Sequence, residues 1–299
     1  MRETGDEMGA SRRTYLAGLG SATLGALALT GSAAAKGHGR GRGPPSGKRR
    51  GFPPAGITEW GDAYAIGDGE ISTFASVTPS GEPKYLGVHF SEGALHELPY
   101  AEAFESGEAT GRKVHGFWSK PFSLDFPSSA PQPFEYAALG WNPQGHTPED
   151  VYDKPHFDIH FHFNTPETVR QIGPGVIEDL PSDVTPEGYE LIEGGAVIPA
   201  MGAHLAPTDA PEFDGAEWLD TLIWGAAAVD GDDAYELNFL EPMITVDYLE
   251  NHLDGAHSEP ISQPEIYPQA GHYPTTYTVR DLGDGGYAAV LADFDERDG

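Results

Sequence analysis

Pro155-His156-Phe157-Asp158-Ile159-His160-Phe161-His162-Phe163 is the stretch on which the reading of this chain turns. Side chains alternate across an extended strand, so Phe157, Ile159, Phe161 and Phe163 face one way and His156, Asp158, His160 and His162 face the other. A face of three phenylalanines and an isoleucine requires a core to cover it, and strict period-two alternation is a strand signal, not a helical one. An ordinary solvated face in this chain would be drawn from Asp, Glu, Ser and Thr. Here three of four positions are His, in a chain with 12 His among 299 residues. The row is a set of candidate metal ligands.

Working outward, short β-type runs recur at 70–77, 84–90, 134–141, 156–163, 189–198, 219–229, 234–240, 275–280 and 287–294, punctuated by Gly, Pro and Asp. Pro79-Ser80-Gly81, Asp230-Gly231-Asp232 and Asp284-Gly285-Gly286 have the chemistry of tight hairpin turns, which join antiparallel neighbours. Helices are expected to be few and short, at 91–98, at 165–172 with Thr165 as N-cap, Pro166 in the first turn and Gly173 as stop, and at 246–252. The expected class is mainly β (α+β with few short helices), an antiparallel β-sandwich or barrel.

Residues two apart on a strand have Cα atoms about 6.6 Å apart, and residues four apart about 13 Å. His160 with His162, or Asp158 with His160, can therefore share an ion, whereas His156 and His160 could share one only across a bulge or strong twist. Further ligands must come from elsewhere. His204 follows the Pro199-Ala200-Met201-Gly202-Ala203 bend, Glu241 ends an apolar run before Pro242-Met243, and His146 closes Trp141-Asn142-Pro143-Gln144-Gly145-His146. Imidazole and carboxylate without thiolate suit one transition metal ion: zinc, copper, iron, manganese or nickel. Asp230-Gly231-Asp232-Asp233 lacks the calcium-loop pattern and reads as a turn.

At the amino terminus, Ser11-Arg12-Arg13-Thr14-Tyr15-Leu16 leads through a weakly apolar stretch to Ala33-Ala34-Ala35, which resembles a twin-arginine export signal over 1–35. An uncleaved anchor is the alternative. Residues 36–53 begin KGHGRGRGPPSGKRR and read as a basic Gly/Pro-rich tether, and 54–299 as one β-rich domain at the cell surface or outside the cell. The tether lacks aromatics, so nucleic acid is not an expected partner, and no stable membrane insertion is expected once the signal is removed. Expected partners are an unidentified small molecule or a second copy of the chain.

Of 17 Lys and Arg, nine precede Gly51; of 47 Asp and Glu, three do, which leaves 44 acids against eight cations from Gly51 onward and a formal charge of −36. Such self-repulsion opposes compaction in dilute buffer and is screened in molar salt, so the domain reads as salt-adapted. The chain has no cysteine, so no disulfide supports the exported fold.

The ordered motifs W-N-P-Q-G-H (141–146), V-Y-D-K-P-H-F-D-I-H-F (151–161), P-A-M-G-A-H-L (199–205) and L-E-P-M-I-T (240–245) resemble a family of exported bacterial and archaeal proteins. That family is a domain of unknown function first described from Thermus, and the likeness runs over about 57–253. The resemblance implies that His146, His156, Asp158, His160, His204 and Glu241 are the matched positions, while His162 departs from a tyrosine often found there. It brings no established reaction. His160-Phe161-His162-Phe163 is also similar to the His-x-His strands of alpha carbonic anhydrases and cupins, but neither likeness extends beyond a few residues. There is no Gly-x-Ser-x-Gly elbow and no phosphate-binding glycine loop before a helix. The sequence leaves open a metal-binding β domain, a non-catalytic surface binding or assembly protein, and a metal-dependent hydrolase or oxygen-using enzyme.

Overall fold

A computed structural model describes residues 51–114, 116–229 and 234–299. The segments expected to form an export signal and most of a tether, and the turn expected at Asp230-Gly231-Asp232, lie outside the described residues. In chain order, β1 (Thr58–Ile66), β2 (Gly69–Val77) and β3 (Pro83–Phe90) precede a short helix, α1 (Ala101–Ser106). β4 (Arg112–Val114), β5 (Phe117–Asp125), β6 (Tyr136–Asn142) and β7 (His156–His162) lead to α2 (Pro166–Val169). Four short strands follow, β8 (Gly175–Val176), β9 (Tyr189–Leu191), β10 (Ala196–Val197) and β11 (Ala203–Pro207). The last are β12 (Asp220–Ala227), β13 (Glu236–Thr245), β14 (Ala256–Pro260), β15 (Gly271–Asp281) and β16 (Tyr287–Arg297).

These strands form a six-stranded sheet in the order β1-β2-β3-β16-β15-β14 and an eight-stranded sheet in the order β4-β5-β6-β7-β13-β12-β11-β9, with β8 and β10 as a separate two-stranded arm. Neighbours are antiparallel, and neither sheet closes, so the fold is a β-sandwich and not a barrel. The alternation in β7 explains the architecture. Phe157, Ile159, Phe161 and Phe163 are each at most 1 % exposed. They meet the other sheet directly, with Phe90 5.2 Å from Phe157 and Tyr273 5.6 Å from Phe163 between ring centroids. Burying four such side chains contributes roughly 6–12 kcal/mol, comparable with the net stability of a domain, so a polar residue on this face would not be tolerated.

The opposite face of the eight-stranded sheet is not open to water. Val151, Tyr152, Phe213 and Trp218, from connecting segments, pack onto Ile223 and Met243 of β12 and β13. Val169 and Ile172 pack onto Tyr136 and Ala227. The histidine row of β7 thus points into a covered layer outside the sandwich core. Among the described residues no helix is long and apolar enough to cross a membrane.

Several local expectations are corrected. Residues 91–98 form turns, not a helix, because Gly93 and Glu97 adopt positive φ. The run at 189–198 is broken between β9 and β10, where Glu193, Gly194 and Gly195 all have positive φ. The segment at 246–252 is helical over its whole expected length, although from Tyr248 to His252 it is wound as a wide turn. α2 does start where expected, with the Thr165 hydroxyl accepting from the Thr168 amide at 3.3 Å, but it ends at Val169. The hairpins at Pro79-Ser80-Gly81 and Asp284-Gly285-Gly286 join β2 to β3 and β15 to β16.

Candidate metal centre

Strand register decides which polar side chains meet. On β6 and β7, Asn142 lies opposite His156, Gly140 opposite Asp158, Ala138 opposite His160 and Tyr136 opposite His162. On β13, Leu240 pairs with Phe161 and Met243 with Asp158, which sets Glu241 level with His160. Beyond it, β12 places Gly225 against Phe239, and β11 places His204 against Gly225. A Cβ at Gly225 would stand 2.1 Å from the Phe239 ring, so only glycine leaves room for that ring among the histidines. Phe239 contacts the rings of His160, His162 and His204 at 4.8, 5.3 and 5.5 Å between centroids. Gly202, at φ 146°, makes the bend that brings the chain into β11, where a Cβ would come within 2.8 Å of the Ala226 carbonyl oxygen.

The candidates sort into two triads, His160/His204/Glu241 and His146/His156/Asp158, each with its ligand atoms within 4.8 Å of one another. These are two buried groups able to hold a metal ion. The pairs that share a face of β7, Asp158 with His160 and His160 with His162, fall into different environments.

In the first triad, His160 Nε2 lies 3.3 Å from Glu241 Oε1, and His204 Nε2 3.3 Å from Glu241 Oε2. His160 Nδ1 faces the Ala138 carbonyl oxygen at 3.2 Å. A carbonyl can only accept, so Nδ1 carries a proton and Nε2 is the ring nitrogen turned toward the carboxylate. His160 Nε2 and Glu241 Oε2 are both buried without a hydrogen-bond partner. Their closest polar neighbours are each 3.3 Å away in the same triad, and a cation between the three side chains would satisfy them together. A separation of about 3.3 Å is also the edge of a tetrahedron built on ~2.0 Å metal–ligand bonds. Burial disfavours the charged form of His204, but the Glu241 carboxylate outweighs it and raises the pKa above the ordinary imidazole value.

In the second triad, His146 and His156 each direct Nδ1 at a backbone carbonyl, of Thr147 and Lys154 respectively, at 2.7 Å. His156 Nε2 lies 2.9 Å from Asp158 Oδ1, and His146 Nε2 3.5 Å from the same carboxylate. Asn142 donates its side-chain amide to Asp158 Oδ2 at 2.7 Å. Burial opposes charge on both partners. For Asp158 the facing His156 and His146 prevail and hold the carboxyl well below its usual range, while Asp158 in turn pushes His146 up to about 9. Trp218 closes this triad from outside, 4.8 Å from the His156 ring.

His162 joins neither triad. Its ring stacks on Tyr136 at 4.7 Å and runs parallel to His160 at 5.7 Å. Burial, then proximity to His160, keep it neutral well below the usual imidazole pKa. It serves as an aromatic wall. Sequence reasoning passed over Asn142, Gly225, Phe239 and Trp218, which position the ligands. Only Asn142 carried a signal, as the second residue of the W-N-P-Q-G-H motif. No family model, no curated protein and no solved structure matches the chain, so the site stands on its own geometry.

Proposed function

We propose that this chain is an exported, salt-adapted β-sandwich protein that holds a transition metal ion at His160, His204 and Glu241. The observation that carries this reading is the convergence of His160 Nε2 and His204 Nε2, each 3.3 Å from one oxygen of the buried Glu241 carboxylate, where His160 Nε2 and Glu241 Oε2 make no well-formed hydrogen bond. Two imidazoles and one carboxylate suit zinc, iron, manganese, copper or nickel. Three protein donors leave a position free on a four-coordinate ion. That count favours a metal-dependent hydrolase or oxygen-using enzyme over a closed structural ion. A metal bound there would supply Lewis acidity, and the aromatic ring of Phe239 would hold its two imidazoles in place.

The test is metal analysis of protein refolded in molar salt, before and after chelator. His160→Ala and His204→Ala are expected to lose this ion while keeping a native near-UV spectrum. Unchanged metal content in both variants would overturn the assignment.

A further inference from the structure

We propose that His146, His156 and Asp158 form a second, separate position for a divalent transition metal ion, so that the folded domain takes up two ions rather than one. None of its ligands belongs to the first triad. Both imidazoles are locked in the same tautomer, because each Nδ1 donates to a backbone carbonyl oxygen, of Thr147 and of Lys154, at 2.7 Å. Each Nε2 is therefore turned to the carboxylate of Asp158, and that of His156 also lies 3.3 Å from the Asn142 side-chain amide. Hydrogen bonds that fix the far ring nitrogen of a histidine are the support that metal-ligating imidazoles need. The carboxylate is held too. Asn142 donates to Oδ2 at 2.7 Å and leaves Oδ1, the oxygen nearer His156, on the side of the imidazoles.

Two imidazole nitrogens and a carboxylate converge there, and a divalent cation would take the two ring lone pairs together with the carboxylate, displacing any proton from Nε2. The opposite strand leaves space there. At Gly140 a Cβ would stand 3.4 Å from Asp158 Oδ2, 3.5 Å from Ser119 Oγ and 3.6 Å from Asn142 Nδ2, so any larger side chain would extend into the room beside the carboxylate. The three residues come from different places. His156 and Asp158 are on β7, and His146 comes from the covering segment, where its side chain is 26 % exposed. The ion would thus tie that segment to the sheet. Asp158 and His160 are successive residues on one face of β7, about 6.6 Å apart at Cα, and their side chains turn to different partners. The two positions are neighbours with no shared ligand.

The test is ion counting on the full chain, refolded with Zn(II), and separately with Co(II), then passed into molar NaCl to strip ions held loosely by surface carboxylates. Wild type is expected to retain two ions per chain, and His146→Ala and Asp158→Asn one each. His160→Ala should retain one, and His146→Ala combined with His160→Ala none. His146 sits on the covering segment, so its removal leaves the sheet intact; near-UV circular dichroism checks this. The Co(II) absorption bands should lose one component in His146→Ala and a different one in His160→Ala. An ion lost in His146→Ala but none lost in His160→Ala would uphold this second position and overturn the first. Zinc content unchanged in both His146→Ala and Asp158→Asn, or a single ion lost only in His160→Ala, would overturn the second position.

Discussion

Replacing Glu241 by Gln separates the two contributions of that carboxylate. Glu241 is 1 % exposed, with His160 and His204 each 3.3 Å away. Gln keeps the volume, relieves the burial of a carboxylate that makes no well-formed hydrogen bond through Oε2, and gives up the attraction between that oxygen and His204. These effects oppose each other, so the chelated variant should fall within about 1 kcal/mol of chelated wild type. With metal present the comparison changes. At free metal near 100 times the dissociation constant, an ion that binds only the folded state adds about 2.7 kcal/mol, or roughly 5–10 °C in Tm for a domain of this size. Wild type should show that gain from the first triad, and Glu241→Gln should lose most of it. Thermal unfolding in molar salt, with chelator and with a graded zinc series, measures both quantities. Equal metal stabilisation in the two proteins, or a chelated variant several kcal/mol less stable than wild type, would refute the reasoning.

Two other outcomes follow from charge. Burial, then the Glu259 carboxylate, push Asp220 up to about 7, with His257 opposing. The folded state thus keeps a proton that the unfolded chain releases near pH 4. This contribution to stability is fully present below pH 4 and is lost as pH rises to 7, by at most about 1.4 kcal/mol per pH unit. Asp220→Asn should therefore gain on wild type between pH 4.5 and 7.5 in denaturant unfolding at fixed high salt; an unchanged difference between the two pH values contradicts it. Among the described residues only Lys154, Arg170 and Arg297 of the eight cations lie within 4 Å of a carboxylate. With 44 acids so little neutralised, dialysis from molar NaCl to about 0.01 M, where the Debye length grows from about 3 to 30 Å, should unfold the domain, as followed by circular dichroism. A constant Tm across that range would count against salt adaptation.

The sandwich was legible where alternation was strict, as in β7, and where a short β-type run stood between turn residues, as in β2, β3, β15 and β16. It was obscured where polar residues or proline interrupt a strand. β1 is mostly half-buried or exposed, and every residue of β14 is exposed, so neither carries an apolar pattern. The run expected at 234–240, with Glu241 closing it before Pro242, is part of a longer strand, since β13 continues to Thr245. The β7 ladder passes from Leu240 to Met243 without pairing Glu241 or Pro242, so the missing amide hydrogen of proline falls in a gap.

The candidate ligands were legible as residue types, because histidines are conspicuous in so acidic a chain. Their division was not. Whether His160 meets His162 or Glu241 depends on the long-range register of β7 and β13, and whether Asp158 meets His160 or His146 depends on how segment 143–155 returns over the sheet. Neither follows from spacing along one strand. Asn142 becomes meaningful only once β6 sets it opposite His156.

The most direct measurement is anomalous diffraction at the absorption edge of the bound metal, from crystals grown in molar salt. The account predicts a peak within about 2.0–2.3 Å of His160 Nε2, His204 Nε2 and a Glu241 carboxylate oxygen. Peaks confined to surface carboxylates, with hydrogen-bonded water or nothing among those three side chains, would contradict it.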